Sequence, residues 1–518
     1  MKHILAAIFI LSVLRIEAQT IQLTPASLNF GTVLETDRDS FQINLVNMAP
    51  RDVGIRRVHL PTFYGSSPFF LHSLPAQVPA QGNSSFWVGL KVEHNIDHSS
   101  GLIIDTDSFY GSFVCPIQAV GRYASSYYNS TNDLEGTALF QALRNRISSP
   151  YTDLGYSSAR DQMYASIDNS NGQVECAYTG RTASFNTRSG ANSNSFNCEH
   201  TFPQSFYNSN VPMRSDIHHL FPTDVTSNSQ RGNLPFGIVT SSPSWQQGGS
   251  KKGNGVFEPR DTQKGRTARA MLYFALRYQD YSNFLSGQES VLRNWHAAFP
   301  PNAAERTRNQ AIASLQQNRN PFVDHPVLID RLGPYAQNGS LTSESWTIHP
   351  DTLYMRYGTM ANVVLSGRSN RTATVQLTGS ALQWSAQGSS PYPEGVHQGT
   401  LDMLQNASGQ EALELLVNGQ VVDRVHVYLL PSSNIALDEA AQMDFEIRHH
   451  FEQEAISLRF PSPEVYRYEL LGISGARCQS GEVRSGDLIS IQTLSPATYI
   501  LKVTDRQGRS GIKKCSVR

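Results

Sequence analysis

NCEHTFPQSFYNSNVPMRSDIHHLFPTDVTSNSQRGNLPFG, residues 197–237, decides how the rest of the chain is read. It gathers Glu199, His200, Arg214, Asp216, His218, His219, Asp224, Asn228, Arg231 and Asn233 among few large apolar side chains. A segment that only fills a core is not built this way, because burying polar and charged groups is unfavourable unless each finds a partner. Chemistry is the stronger reason for it. The adjacent Glu199 and His200 can divide two tasks: a carboxylate binds a hard cation through oxygen, and an imidazole titrating near neutrality takes a proton from water. Consecutive residues of an extended strand face opposite ways, so the pair serves one site only if the backbone bends or the site wraps around it. The nearby Pro203 makes irregular backbone plausible. An isolated Glu-His pair is most often an exposed pair on a turn, but the context changes the weighting. SDIHHLFPTD (Ser215 to Asp224) and TSNSQRGN (Thr226 to Asn233) follow, and Asn228 offers an amide oxygen that completes a metal site without further negative charge.

Five blocks in order, NCEHTFPQSF, MRSDIHHLFPTD, SNSQRGNLPFG, FEPRDTQKGRTARAMLYFALRY and QQNRNPFVDHP, cover roughly residues 145 to 330. In this order they resemble the bacterial endonuclease I family, secreted or periplasmic nucleases of the ββα-metal (His-Me finger) class. The resemblance implies that His200 is the general base and that Glu199 and Asn228 are metal ligands. It implies that Arg214 or Arg231 holds a phosphate through a bidentate guanidinium contact, and the sequence does not choose between them. The implied cofactor is Mg2+, with Mn2+ or Ca2+ as alternatives, and the implied partner is DNA or RNA, gripped through its backbone. Neutral His200 would deprotonate a water in line with the P–O3′ bond, and two protein ligands would leave most of the metal shell to water and phosphate.

The whole chain, at 518 residues, exceeds what one core usually holds, so three or four domains are expected. Its formal net charge of −1 gives no global attraction to nucleic acid. Residues 123 to 335 nonetheless hold 19 Lys and Arg against 16 Asp and Glu, and Lys251 to Arg269 alone has six basic residues against two acidic ones. Such a strip either holds phosphates or is a solvated face. MKHILAAIFILSVLRIEAQ at the start has a basic residue, an apolar run from Ile4 to Leu14 and a small residue at Ala18. That run is too short to span a bilayer and reads as a secretory signal over residues 1–18, so the mature chain is expected to be exported and soluble. Of five cysteines, Cys176 and Cys198 flank the first part of the polar region, where one bridge and two buried thiols are both open. The absence of CxxC spacing argues against structural zinc.

Residues 20–122 alternate apolar and polar in short runs such as Phe41 to Val46 and Ser85 to Leu90, the signature of an all-β sandwich, and resemble immunoglobulin-like modules found beside bacterial enzyme domains. Ser126 to Gly136 reads as a linker. Helical spacing begins at GTALFQALRNRIS (from Gly136), returns in SARDQMYASIDN, SVLRNWHAAFPP and AAERTRNQAIASLQQNRN, and is longest from near Gly265. There Met271, Leu272, Ala275 and Tyr278 line one side and Arg266, Arg269, Tyr273 and Arg277 the other, an arginine side turned towards phosphates or towards solvent. After about Gly339 the period returns to two, giving a second sandwich over 345–430 with a hairpin signal at its NGQ turn. Residues 438–518 form a small β-domain similar to the C-terminal sorting domains of the type IX secretion system of Bacteroidota, which makes the secretion machinery a partner. Two features depart from that pattern: the opening Asn-Pro is missing, and Ala497 stands where a glycine is expected.

The fold class expected from all this is multidomain, with an α+β, mainly helical nuclease domain over 123–338 carrying a ββα-metal finger, flanked by all-β immunoglobulin-like sandwiches. The function expected is that of an exported, divalent-metal-dependent endonuclease. The alternative is a surface adhesion or binding protein with a catalytically silent nuclease-like domain. A metalloprotease is disfavoured by the lack of HExxH.

Overall fold

The computed structural model describes residues 21–106, 111–279, 281–341, 345–368, 372–386, 390–430, 445–450, 455–460, 464–472, 477–494, 497–506 and 510–517. The secretory signal expected over 1–18 and the start of the terminal domain expected at Asp438 lie outside them.

Between Ile21 and Arg122 the alternation in the sequence becomes two faces of each strand. In Asp39–Asn47, Ile43, Leu45 and Asn47 turn inward while Gln42 and Asn44 are exposed, and in Ser112–Arg122 the inward set is Phe113, Cys115, Ile117 and Ala119. A four-stranded and a five-stranded sheet enclose one apolar core containing Phe86, Val88, Leu102 and Ile104.

The centre of the middle region is the helix Asp261–Tyr278, buried on every side from Thr267 to Arg277. Leu139, Phe140, Leu143 and Ile147 of the helix Gly136–Ser148 recur at helical spacing and pack in the same core, joined by Leu292 and Trp295 of Glu289–Ala298 and Ile312 of Ala303–Gln316. Each fully buried side chain of this size contributes about 1.5–3 kcal/mol. Ser126–Thr131, expected as part of a linker, is instead a 3-10 turn with Tyr128 and Thr131 buried. The Tyr128 hydroxyl donates to Asp324 Oδ2 at 2.5 Å, and Tyr123 stacks on His325 with centroids 3.5 Å apart. Arg331, fully buried, donates to Asn95 Oδ1 and to Thr131 O, tying the first β region to the middle one.

Residues 345–430 form two four-stranded sheets around Ile348, Val363, Leu413 and Val425. Their hairpin turns at Asn418 and Gly419, whose φ values of 52° and 75° are the left-handed pair that a two-residue turn between Val417 and Gln420 requires. The terminal region has a three-stranded and a four-stranded sheet around Ile456, Leu470, Leu501 and Val503, with Ser510–Val517 on the edge of the second.

The expected fold class, an α+β, mainly helical nuclease domain between all-β flanks, is corrected: the protein is multidomain with many β-sheets and is not mainly helical. Among the described residues strand makes up 41% and helix 26%. Helical periodicity is conspicuous in long stretches, but the strands between Asn169 and Glu258 are two to five residues long. Alternation over so few residues leaves no readable signal.

Candidate active site

The strand Phe196–His200 pairs antiparallel with Leu220–Asp224, placing Glu199 opposite Phe221 and His200 opposite Leu220. The helix Val225–Arg231 follows at once. Asp224 starts it, its Oδ1 accepting from Ser227 N at 2.8 Å. Gly232 ends it at a φ of 53°, where a side chain would be strained. Asn228 and Arg231, three residues apart, share the helix face laid against the first strand. Asn228 Nδ2 donates to Asn197 Oδ1 at 2.7 Å and to Cys198 O at 3.4 Å. Because a backbone carbonyl can only accept, this fixes which way the amide points. Its Oδ1 is turned away from the strand and accepts no hydrogen bond from the described residues.

Glu199 is buried. Its Oε1 accepts from the Tyr178 hydroxyl at 2.7 Å and pairs with Arg231 Nη1 at 3.2 Å. Burial raises its pKa, with Arg231 and Tyr178 pulling the other way. Arg231 is 1% exposed, and its guanidinium also donates to the carbonyls of His200, Thr201 and Gly232. It is an internal clamp between helix and strand. Arg214 is half-buried: its guanidinium lies 4.4 Å from the Tyr156 ring centroid, and its Nε has no hydrogen-bond partner. Arg160 lies 4.1 Å from the same ring, its Nε also unpartnered.

His200 is 4% exposed. Its Nε2 donates to Arg214 O at 3.1 Å, a bond that assigns the proton to Nε2 and leaves Nδ1 as the acceptor. The rings of Tyr156 and His219 each lie 5.4 Å away. Burial above all, and then His219, hold the His200 pKa well below the ordinary value, against the opposing hydrogen bond to Arg214 O. The imidazole is therefore neutral at pH 7. Glu199 and His200 meet separate sets of neighbours, as strand alternation dictates, and Arg231 is the group that touches both residues.

The SDIHH run does other work. Asp216, fully buried, accepts from Arg277, from Tyr273 and Tyr278 at 2.9 Å each, and from Gln316 at 3.0 Å. Burial opposes its ionisation, but Arg277 and the neighbouring donors hold its pKa far below the usual range. His218 Nε2 meets Asn318 O at 3.2 Å and His219 Nε2 meets Met213 O at 2.7 Å, and burial lowers both pKa values to about 4. The arginine side of the long helix is corrected in the same way: Arg269 makes a bidentate pair with Glu305 at 2.7 and 2.6 Å, Arg266 pairs with Asp168 at 3.3 Å, and Arg277 is taken by Asp216. In the basic strip, Lys264 pairs with Glu258 and Asp261, and Arg260 with Glu175. Cys176 and Cys198 are free thiols, the first donating to Asp224 Oδ2 at 3.0 Å. Tyr156, Arg160, Tyr178 and Asn197, all now beside the predicted residues, carry no spacing signal relative to them.

Comparison with known proteins places the match in this region. The Endonuclease I family model matches residues 136–327. The extracellular ribonuclease of Bacillus subtilis (strain 168) is 32% identical over 247 residues, covering 43% of this chain and 84% of that protein. That of Bacillus amyloliquefaciens is 32% identical over 227 residues, 40% of this chain and 78% of the relative. An extracellular deoxyribonuclease of Aeromonas hydrophila is 33% identical over 118 residues, covering 22% of this chain and 50% of the relative.

Proposed function

The chain belongs to the endonuclease I family, and from that premise we propose that it is an exported, divalent-metal-dependent endonuclease hydrolysing DNA or RNA with little sequence preference. The observation that carries the reading is the His200 imidazole, anchored through Nε2 on Arg214 O, neutral, and with Nδ1 left to accept a proton. Relatives named as a ribonuclease and as a deoxyribonuclease support a nucleic-acid substrate without choosing between the two sugars.

The residues fit a hard cation. Asn228 Oδ1 and the Glu199 oxygen not held by Tyr178 and Arg231 are two oxygen donors, a set that suits Mg2+, or Mn2+ or Ca2+, with water and phosphate filling the remaining positions. Such an ion would offset charge building on the phosphate and the leaving 3′ oxygen. His200 Nδ1 takes the proton of the attacking water while Arg214 O keeps the ring in the right tautomer. Arg214, beside Arg160, holds a phosphate oxygen through N–H groups that have no internal acceptor. Arg231 positions Glu199 rather than touching substrate, since it is 1% exposed and both its Nη groups are held inside the protein by Glu199 and the His200, Thr201 and Gly232 carbonyls. Because every one of these groups serves phosphate, metal or water, base identity has little to act on.

The test is digestion of plasmid DNA and of RNA by the signal-free protein, with and without EDTA and with Mg2+, Mn2+ or Ca2+ restored. Cleavage should stop on chelation and return with metal; cleavage that persists in EDTA sinks the reading. We assign residues 438–518 to sorting for export. Their removal should leave cleavage intact and the protein held in the periplasm, and normal release of the shortened chain would remove that assignment.

A further inference from the structure

Three side chains from distant parts of the chain converge where the first β region meets the one after Ser345. His59 ends the strand Val53–His59, and Asp105 lies on the neighbouring antiparallel strand Ser100–Thr106. Their side chains meet with His59 Nε2 2.5 Å from Asp105 Oδ2. His349 ends the strand Ser345–His349 of the other region, and its ring centroid lies 4.1 Å from that of His59. One ligand atom from each of the three lies within 4.8 Å of the others.

His349 is 9% exposed, and its Nδ1 is buried without a hydrogen-bond partner. Its Nε2 lies 3.1 Å from Thr347 Oγ1, so a proton on Nε2 donated to that hydroxyl leaves the Nδ1 lone pair facing no donor. Asp105 is oriented in turn, its Oδ1 accepting from the Ser112 hydroxyl at 2.6 Å. Outer hydrogen bonds of this kind fix the tautomer of a ligating imidazole and the direction of a ligating carboxylate. Asp105, Asp351 and Asp423 all lie close enough to act on His349. The junction is tight as well: a Cβ on Gly111 would sit 2.0 Å from Asn362 O, across the same pair of regions.

We propose that His59, Asp105 and His349 form a structural divalent-metal site of the zinc class that pins the two β regions together. Two imidazole nitrogens and one carboxylate oxygen suit zinc in a four-coordinate shell, with water as the fourth ligand on the side where His59 is 20% exposed. Bonds of about 2.0–2.2 Å set tetrahedral ligand atoms about 3.3 Å apart. Binding therefore requires His59 Nε2 and Asp105 Oδ2, now 2.5 Å apart, to open by roughly 1 Å as the ion replaces their shared proton, and the His349 ring to close by about as much. This site is separate from the one proposed for catalysis, and its ion takes no part in cleavage.

The full mature chain would be dialysed against a weak chelator, and its zinc measured by mass spectrometry beside that of His349→Gln. The wild type should keep one zinc more than the variant, in the native sequence and again in a Glu199→Ala background. Thermal unfolding of the wild type should move upward with added zinc while that of the variant does not, and the variant should still cut plasmid DNA in Mg2+. Equal zinc in both chains overturns the proposal. Should the variant fail to fold, zinc-soaked crystals of the wild type decide: an anomalous peak among the three side chains supports the site, and a map with none there rejects it. Since the zinc count is independent of cleavage, loss of the nuclease reading and loss of this site would be told apart.

Discussion

The ribbon and helix around Glu199 and the long helix Asp261–Tyr278 carry comparable loads of charge, yet they use it in opposite ways. On the long helix every arginine side chain named in the sequence reading closes on an internal carboxylate: Arg266 on Asp168, Arg269 on Glu305, Arg277 on Asp216. Around the strand, by contrast, polar atoms stay unspent, namely Asn228 Oδ1, Arg214 Nε and His200 Nδ1. Unpartnered buried nitrogens occur in both places, Arg266 Nε on the helix among them, so what separates the two is whether a charged side chain has a carboxylate partner at all: Arg266 has Asp168, and Arg214 has none among the described residues. Density of charged residues does not separate a site from a scaffold. The number of partners each already has does.

The sharpest way to break this contrast is His200→Ala. Loss of a positioned base should lower kcat by about 10²- to 10⁴-fold while thermal unfolding stays near wild type; an active, folded variant would remove His200 from the chemistry. In the wild type the same imidazole should set the acidic limb of the pH–rate profile. Its pKa is lowered in the folded protein, so the neutral base survives below pH 6.5 and activity falls only as the pH drops through that depressed value. A limb centred above pH 6.5 contradicts the buried environment described here.

The scaffold side is probed by Arg277→Met. Removing one member of a buried pair strands the other, here Asp216 among Tyr273, Tyr278 and Gln316, at about 3–5 kcal/mol of stability. Urea unfolding should register that loss, with kcat per folded molecule unchanged. A change in kcat without destabilisation would mean the long helix does reach substrate. The smallest expected effect is that of Arg214→Ala. A charged hydrogen bond to phosphate contributes about 1.5–3 kcal/mol, which corresponds to roughly 10- to 100-fold in kcat/KM. Unchanged kcat/KM with weakened folding would place Arg214 with the scaffold arginines.

Much of the middle region was legible in the order of residues. The helix read from Gly136 runs to Ser148, because apolar spacing is a local property. The apparent linker at Ser126 was misread for the converse reason: nothing local reveals that Tyr128 finds Asp324, 196 residues away. The choice between Arg214 and Arg231 was undecidable for the same cause, since what separates them is a cluster of backbone carbonyls that only the packed strand end supplies.

By itself the sequence determined the longer helices and the alternation of the flanking strands, and through its ordered motifs it nominated Glu199, His200 and Asn228. Only the tertiary structure decided which polar atoms are consumed and which remain. It also brought His349 to His59 and Asp105, which are themselves 46 residues apart, a grouping that no local spacing announces. Periodicity and capping act over a few residues, whereas partnering between charged groups is set by contacts whose separation along the chain is unrelated to their distance in space.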